Sequence, residues 1–587
     1  MDGAQFDEAE KQGDYNLLFA RTWGAPYDPH SYFSSFAQPA HSEYAALSGI
    51  EPPLVTRDEL LEKIDRVQKE SDVTARRELW REILQNVHEQ AIFLPLWGTR
   101  IPYVINRRLV GFSSSPQSYA YDLTSVRVFE GSPTVTVAPG SSVGGLFDTA
   151  GSIHPHQYFP NQLFAQGWIY EGLVSYGQDG EIGPALAHSW TIDPNPETGG
   201  ERAAFQLRNA TFHDGTAFNC SVAKLNFDHV LNDVVKERHS WYQLPTKLTS
   251  WTCNDQGDFV LETSEPFYPL LQELTYMRPL TFASAAAFPS GLDSHPINNN
   301  ACNPGDFGGS YAHLEDTVTC NGLLAPIGTG PFKLVTSETN EEGTIQTKLQ
   351  FARHDEYWGN KPDIEVIDVK YFETTEDVEK ALLDGTLDMA LGIGPLSPQQ
   401  IRNLKDFHSD VVDVRHSNVQ RHAMMVFNTN KEPTNDLIMR QAIIHAVDKA
   451  RFIEEEFAGL ERPVSQLLPY TAPYCDVELS PKWAYDQEKA ILLNCPTEKS
   501  NSALSGGAIA GIVICALVAT GLAIFVLRLI QREKSGKPLF TPVSSEATAS
   551  MPAPDEVKVG APSVRGEPNA SVSSTEEVSQ NQANSHV

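Results

Sequence analysis

Basic residues are scarce in this chain, since 44 lysines and arginines stand against 75 acidic residues and the net charge is −31. This balance argues against a nucleic-acid-binding protein, because phosphate backbones need a basic surface. None of the seven cysteines has Cys-x-x-Cys spacing, so neither a zinc ribbon nor a thioredoxin-like site is expected. A His-Glu-x-x-His helix and a P-loop are also missing, and we do not expect an enzyme.

The N-terminus has no apolar run either, because Met1 to Glu8 is polar and acidic, and no signal peptide is predicted there. The cysteines nevertheless indicate an extracytoplasmic location, since six of the seven precede the apolar run described below and fit three disulfides. Two N-glycosylation sequons, at Asn209 and Asn219, agree with this location. Of fifteen connectivities we expect pairing between sequence neighbours, namely Cys220–Cys253, Cys302–Cys320 and Cys475–Cys495.

A long uncharged run, residues 506–527, follows a short polar linker at 498–505. Its length is enough for one transmembrane helix. Residues 528–587 begin with a basic juxtamembrane stretch and continue as a Ser-, Glu- and Pro-rich tail, which predicts a disordered cytoplasmic C-terminus. The large N-terminal part is then expected outside the cytoplasm, at the cell surface or in an endomembrane lumen.

With 587 residues, of which 41% are hydrophobic, the chain is long enough for two or more lobes. Apolar periodicity predicts short strands, amphipathic helices and a segment boundary near residue 133. The predicted strands are 14–20, 92–97 and 134–138, and the predicted helices are 58–67, one through 79–87, and 440–449.

An aromatic run between Arg21 and His41 contains three prolines, which predict a loop on a scaffold. Its rings suit the walls of a small-ligand site, and the imidazole of His41 is a candidate metal ligand. Composition alone leaves simpler alternatives open, because a loop histidine is often only solvated and aromatic residues often only pack.

The segment Trp-Gly-Ala-Pro-Tyr-Asp-Pro-His, from Trp23 to His30, resembles the nickel-binding members of solute-binding protein family 5. These are the extracytoplasmic binding proteins of nickel, dipeptide and oligopeptide ABC importers. The resemblance implies that this segment lines a ligand cleft and that His41, in Pro39-Ala40-His41, coordinates a metal. Further matches to cleft segments of the family involve Tyr158, Leu163, Arg238, Trp241 and Arg278.

The chemistry implied by the resemblance is coherent. Trp23, Tyr27, Tyr158, Leu163 and Trp241 would form the walls, and Leu163 stands where the nickel proteins have methionine. The guanidinium groups of Arg238 and Arg278 would hold ligand carboxylates. His41 would complete the shell of a metal such as nickel, whose other ligands come from a small chelator such as histidine. No catalytic cofactor is implied.

The matched segments stand in permuted order. Residues 1–132 resemble the C-terminal part of the family, and residues 133–497 resemble its N-terminal and middle parts. Three explanations remain open, namely a truncated tandem array, a circular permutation and a two-chain assembly. The expected fold is an α/β, two-lobed, type II periplasmic-binding-protein-like clamshell with permuted segments, plus one C-terminal transmembrane helix.

The expected function is that of a membrane-anchored binding protein that captures a chelated metal for uptake. Two alternatives stay open, a peptide-binding receptor of the same family and an adhesion or signalling receptor that has lost its cleft. The expected partners are the small ligand, the membrane, and an ABC-type permease or a second copy of the fold, but no nucleic acid.

Overall fold

The computed structural model describes most of the chain up to residue 494. The described residues are 3–22, 27–37, 41–52, 54–118, 120–140, 142–143, 153, 155–156, 163–231, 243–275, 280–288, 291–293, 295–296, 306–307, 323–341 and 346–494. We call residues 1–132 the first segment and residues 133–497 the second segment.

The described helices are mostly short and amphipathic. They are α1 (Gly3–Gln12), α2 (Pro29–Phe33), α3 (Ser42–Ser48), α4 (Arg57–Gln68), α5 (Val73–Glu89), α6 (Gln166–Ile169), α7 (Cys220–Val230), α8 (Leu244–Lys247), α9 (Leu270–Leu274), α10 (Thr375–Asp384), α11 (Pro398–Phe407), α12 (Leu437–Ala446), α13 (Lys449–Phe457) and α14 (Gln487–Asn494). Short 3-10 helices occur at Ser34–Ala37, Leu163–Ala165, Ala285–Ala287 and Gly291–Asp293.

The described strands come from both segments. They are β1 (Leu17–Arg21), β2 (Phe93–Asn106), β3 (Leu109–Val110), β4 (Arg127–Val128), β5 (Thr134–Pro139), β6 (Val174–Tyr176), β7 (Ile182–Pro184), β8 (Ala187–Pro194), β9 (Glu201–Leu207), β10 (Leu248–Cys253), β11 (Phe259–Thr263), β12 (His295–Pro296), β13 (Asp306–Phe307), β14 (Phe332–Thr339), β15 (Gln346–Arg353), β16 (Val366–Val369), β17 (Met389–Leu391), β18 (Val412–Phe427) and β19 (Arg462–Pro463).

A nine-stranded mixed sheet joins the two segments. Its order is β1-β18-β2-β17-β5-β16-β15-β14, and β19 pairs with β2. Strand β2 of the first segment lies between β18 and β17 of the second segment and is antiparallel to both. Strand β1 pairs antiparallel with β18 from Leu17↔Phe427 to Arg21↔Ala423. The backbone hydrogen bonds of this sheet therefore join strands β1 and β2 of the first segment to strands of the second segment.

The helices of the first segment pack on the second segment through a shared core. Trp80 on α5 and Leu60 on α4 are fully buried, in one cluster with Met424 and Val426 of β18. Helix α4 starts with a capping box in which Thr56 and Glu59 bond each other's backbone N–H groups, a motif that satisfies two otherwise unpaired donors. A second, four-stranded sheet, β10-β11-β9-β8, shares a separate core with α7.

Most predicted elements are confirmed, with changed ends. The strand predicted over 14–20 is β1, the helices predicted over 58–67 and through 79–87 are α4 and α5, and the strand predicted over 134–138 is β5. The strand predicted over 92–97 continues to Asn106 as β2. The helix predicted over 440–449 is wrong in extent, because α12 ends at Ala446, where Val447 takes an extended conformation, and α13 begins at Lys449.

The prediction of a loop throughout residues 21–41 is also wrong, because α2 and a 3-10 helix lie within it. Proline at the first turn of a helix has no N–H that the helix would need, and its φ already fits. Pro29 occupies such a position, and the Asp28 side chain caps the helix by accepting a bond from the backbone N–H of His30. These two residues allow a helix to start inside a proline-containing run.

One predicted disulfide is confirmed, since Cys220 is bonded to Cys253. The expected pairing of Cys475 with Cys495 is wrong, because Cys475 is a free, fully buried thiol packed in the core of α4 and α5. Cys302 and Cys320 lie outside the described residues. Among the residues that the structure describes, no helix is both long and apolar enough to cross a membrane; the predicted span 506–527, its linker 498–505 and the tail 528–587 lie outside them.

Candidate ligand-binding site

Two of the predicted site residues, Tyr27 and His41, are among the described residues with their side chains. Leu163 opens the 3-10 helix Leu163–Ala165. The remaining predicted site residues lie outside the described part of the chain, and they are Trp23, Tyr158, Arg238, Trp241 and Arg278. The candidate site is therefore defined here by the described residues on either side of them.

A buried carboxylate, Glu273 on α9, joins two of these flanks. His30 Nε2 lies 2.7 Å from Glu273 Oε1, and neither side chain is exposed. The backbone N–H of Gln243 donates to both carboxylate oxygens, at 3.1 and 3.2 Å, and the N–H of Leu244 donates to Oε2 at 2.6 Å. We call this arrangement the Glu273 junction.

Tyr27 lies next to the same junction. The side-chain amide of Gln117 donates to the Tyr27 hydroxyl at 3.2 Å and to the Thr275 carbonyl at 3.3 Å. The Tyr27 ring also meets the Tyr176 ring edge-on, with centroids 5.8 Å apart. These contacts bring the loop that follows residues 23–26 against the end of α9, where residues 276–279 begin.

A pair of buried histidines forms the third contact point. Nδ1 of His156 and Nδ1 of His229 are 2.8 Å apart, and His156 Nε2 lies 3.0 Å from the Thr281 carbonyl oxygen. Because that carbonyl can only accept, His156 carries its proton on Nε2, and His229 donates from Nδ1. Burial lowers the pKa of His156 to about 4, which keeps His156 neutral at physiological pH.

Together these contacts involve described residues that border four segments of the predicted site. Residues 23–26 end at Tyr27, residues 157–162 begin after His156, residues 232–242 end at Gln243, and residues 276–279 lie between Thr275 and Leu280. The residues that bound the predicted site segments therefore meet in one region, although they are far apart in sequence.

His41 lies in a different group of polar residues, at the N-terminal end of α3. Its Nδ1 is 3.9 Å from Glu43 Oε2, and its buried Nε2 has no hydrogen-bond partner among the described residues. Burial lowers the pKa of His41, and the neutral imidazole is the form that binds metals. Within the described residues no group of three or more histidine, cysteine, aspartate or glutamate side chains has an arrangement that could hold a metal ion.

Two carboxyl groups lie beside His41. The N–H of Ser42 donates to Glu10 Oε1 at 3.1 Å, and the Tyr32 hydroxyl donates to Glu43. Burial raises the pKa of both Glu10 and Glu43, and their proximity raises that of Glu10 further. This polar group belongs entirely to the first segment.

Ser142 has the Gly-x-Ser-x-Gly spacing of a nucleophile elbow and follows strand β5. A nucleophilic serine must be exposed and bonded to a base. The Ser142 side chain is fully buried, and its Oγ has no hydrogen-bond partner among the described residues. The geometry at Ser142 does not support a hydrolase.

Sequence reasoning missed Glu273, Gln117 and the paired histidines as parts of the site. A weak signal was present for Glu273, because Leu-Leu-Gln-Glu-Leu places an acid among three leucines on a helix of five residues. A buried acid of this kind needs bonding partners. Its partners are 29 and 243 residues away in sequence, so no local pattern identifies them.

Comparisons with known proteins identify the family to which this fold belongs. The profile of bacterial extracellular solute-binding proteins, family 5 Middle, matches residues 181–493, which is more than half of the chain. The chain therefore belongs to this family of solute-binding proteins, whose α/β fold has two lobes.

Among its relatives is the nickel-binding periplasmic protein of Escherichia coli K12, with 30% identity over 362 residues, 61% of this chain and 60% of that protein. The dipeptide-binding protein of the same organism is 27% identical over 362 residues, 57% of this chain and 60% of the relative. The crystal structure of NikA from Brucella suis in complex with Fe(III)-EDTA is 28% identical, with a TM-score of 0.48, and the match covers 63% of this chain and 66% of that one. The chain thus spans about 60% of the length of these curated relatives.

Proposed function

We propose that this protein captures a small chelated metal, of the nickel–histidine kind, and delivers it to an ABC-type permease. The observation that supports this most strongly is the convergence at the Glu273 junction and the histidine pair. Residues bounding four separate predicted site segments meet there, as a cleft built from distant parts of a chain requires. The matched family consists of extracellular solute-binding proteins.

In this proposal Trp23, Tyr27, Tyr158, Leu163 and Trp241 form the walls around the ligand. Arg238 and Arg278 bind its carboxylates through paired N–H donors. His41 gives the site its specificity for metal. Its side chain is partly exposed, but its Nε2 atom is buried without a hydrogen-bond partner among the described residues, which supports that role. Residues 506–527 anchor the protein in a membrane, with the binding part on the extracytoplasmic side.

Titration calorimetry with nickel plus free histidine tests the proposal on the full-length chain. His41→Ala removes one metal ligand and is expected to weaken binding by about tenfold or more, which corresponds to about 1.4 kcal/mol or more. His188→Ala is the matched control, because His188 is an exposed histidine outside the proposed site. Its removal shows how much an exposed histidine contributes to adventitious metal binding. No heat in the wild type, or equal affinity in the His41 variant, would contradict metal capture.

Peptide capture is the second candidate function, because the relatives include a dipeptide-binding protein and Leu163 replaces the methionine of the nickel proteins. A peptide array probed in the presence of a metal chelator separates the two candidates. Tight binding of peptides without metal, unaffected by His41→Ala, would favour peptides as the ligand.

A further inference from the structure

We propose that Asn209 carries an N-linked glycan and that Asn219, the second candidate in the same region, does not. Both asparagines begin an Asn-x-Ser/Thr sequence, Asn209-Ala-Thr211 and Asn219-Cys-Ser221, and the sequence alone does not distinguish them. Every residue of the two sequences is among the described residues. The inference goes beyond the proposed function, because it rests on the extracytoplasmic location expected for this part of the chain and not on ligand capture.

Asn209 lies in an exposed loop. It is the second residue after strand β9, and its side chain is exposed. The loop that follows is closed by a main-chain hydrogen bond from the N–H of Phe218 to the carbonyl of Ala210, at 2.9 Å. This bond uses no side-chain atom, so the shape of the loop does not depend on the amide of Asn209. Residues 214–217 of the loop are exposed as well, and a bulky, hydrophilic glycan at Asn209 would extend into solvent.

Asn219 is also exposed, but its side chain has a structural role. It is the N-cap of α7, and its Oδ1 accepts a hydrogen bond from the backbone N–H of Val222 at 3.1 Å. Such a cap satisfies a donor that has no partner within the helix. The next residue, Cys220, is buried and disulfide-bonded to Cys253. The cap and the disulfide therefore fix the chain around Asn219.

The chemistry of glycan transfer favours the less constrained asparagine. The amide Nδ2 forms a bond to the anomeric carbon of an oligosaccharide, and the bond from that carbon to a lipid-linked pyrophosphate breaks. The pyrophosphate leaves with the electron pair, and the amide gives up one proton. The transferring enzyme has to take the acceptor segment into its own site, which requires a local opening of the chain. At Asn209 this opening disturbs an exposed loop, whereas at Asn219 it breaks the cap of α7.

The test uses the full-length chain, produced in eukaryotic cells and treated with a glycosidase that removes N-linked glycans. On a denaturing gel the wild type should shift by the mass of one glycan. Asn209→Gln and Thr211→Ala each destroy the first sequence and should abolish the shift, whereas Thr211→Ser preserves the sequence and should retain it. A shift that persists in Asn209→Gln would overturn the assignment to this residue.

Two variants test the second sequence. Asn219→Gln removes the acceptor but also the cap of α7. Ser221→Ala removes the sequence at an exposed position and leaves the cap in place, so it separates glycosylation from damage to the helix. Both variants should shift like the wild type. A smaller shift in Ser221→Ala would show that Asn219 is modified, and the distinction between the two asparagines would be wrong.

Glu373→Asn provides a positive control, because Thr375 then completes an Asn-x-Thr sequence. Glu373 is exposed in the bend before α10, and the cap of that helix is Thr374, so the new asparagine lies near a helix start without a capping role. This variant should gain a second glycan. A glycan gained in Glu373→Asn but absent from the wild type would overturn the inference. No glycan in either protein would refute both the inference and the expected location.

Peptide mass spectrometry identifies the modified residue directly. Enzymatic release of the glycan in heavy-oxygen water converts a glycosylated asparagine into an aspartate that carries the label. We expect the label at position 209 and an unlabelled Asn219, and the reverse pattern would refute the proposal. Neither measurement involves nickel or peptide ligands, so a failure of the proposed ligand capture leaves this result unaffected, and a missing glycan leaves the metal titration valid.

Discussion

The carboxyl group of Glu171 should make stability depend on pH in a direction opposite to that of the buried histidines. It accepts hydrogen bonds from the Tyr357 hydroxyl at 2.9 Å, the Trp358 indole at 2.7 Å and the Thr329 hydroxyl at 2.8 Å. The residue keeps some exposed surface, but the carboxyl end is enclosed by these donors. Burial raises the pKa of Glu171 from 4.5 to about 7, although the donors partly offset it.

The sign of the effect follows from proton linkage. Because the pKa is higher in the folded than in the unfolded chain, the folded state binds more protons between about pH 4.5 and 7. Stability contributed by this group is fully present below pH 4.5 and is lost as pH rises through 7. From pH 5 to pH 7 the loss is about 2 kcal/mol, since one pKa unit corresponds to about 1.4 kcal/mol.

Glu171→Gln keeps the shape of the protonated acid but removes its titration. We expect the free energy of unfolding of the variant, relative to that of the wild type, to rise by about 2 kcal/mol from pH 5 to pH 7. Any cost of its altered hydrogen bonds is the same at both pH values and does not affect this difference. Urea unfolding at both pH values, followed by tryptophan fluorescence, measures the difference. Glu62→Gln, at an exposed site on α4, should change stability by less than about 0.5 kcal/mol at either pH.

The buried histidines make stability depend on pH in the opposite direction, and this dependence should be more evident in Glu171→Gln. Burial lowers the pKa of His156, His213 and His422 to about 4, so each contributes stability above pH 6.5 that is lost as pH falls towards 4. Without the compensation from Glu171, the variant should be more sensitive to acid than the wild type. An identical pH dependence of unfolding in the two proteins would refute the assignment of a raised pKa to Glu171.

Two further predictions concern stability. A Cβ in Gly49→Ala would lie 2.2 Å from the Thr429 carbonyl oxygen, so the free energy of unfolding, measured in urea, should fall by about 1 to 3 kcal/mol. In the control Gly183→Ala the added Cβ has no atom within 4 Å, and the loss should be less than about 0.5 kcal/mol. Equal losses would contradict the close packing of α3 on the end of β18. Cys220→Ala removes the disulfide to Cys253, which closes a loop with a sequence separation of 33 residues, and should lower the free energy of unfolding by about 2 to 4 kcal/mol. Reducing conditions should lower the melting temperature of the wild type to that of the variant. A wild-type melting temperature that does not change on reduction would count against the bond.

Local sequence patterns were sufficient for the helices of the first segment. Leu60, Ile64 and Val67 recur with helical spacing and are all buried, because one face of an amphipathic helix has to cover a core. The same patterns failed where the backbone depends on its neighbours. Strand β2 continues through Gly98 and Pro102 to Asn106, residues with little preference for a strand, because it is paired on both sides by β18 and β17.

The sequence by itself determined the family, the aromatic segment and the candidate ligands such as His41, since these depend on the identity and order of neighbouring residues. Only the tertiary structure decided that α2 and α9 meet, that Glu273 receives the His30 and Leu244 N–H groups, and that His156 pairs with His229. Such contacts join residues far apart in the chain, and burying their polar groups is favourable only when all partners arrive together. A local sequence pattern does not show which distant residues will meet, and these contacts are fixed only when the whole chain packs.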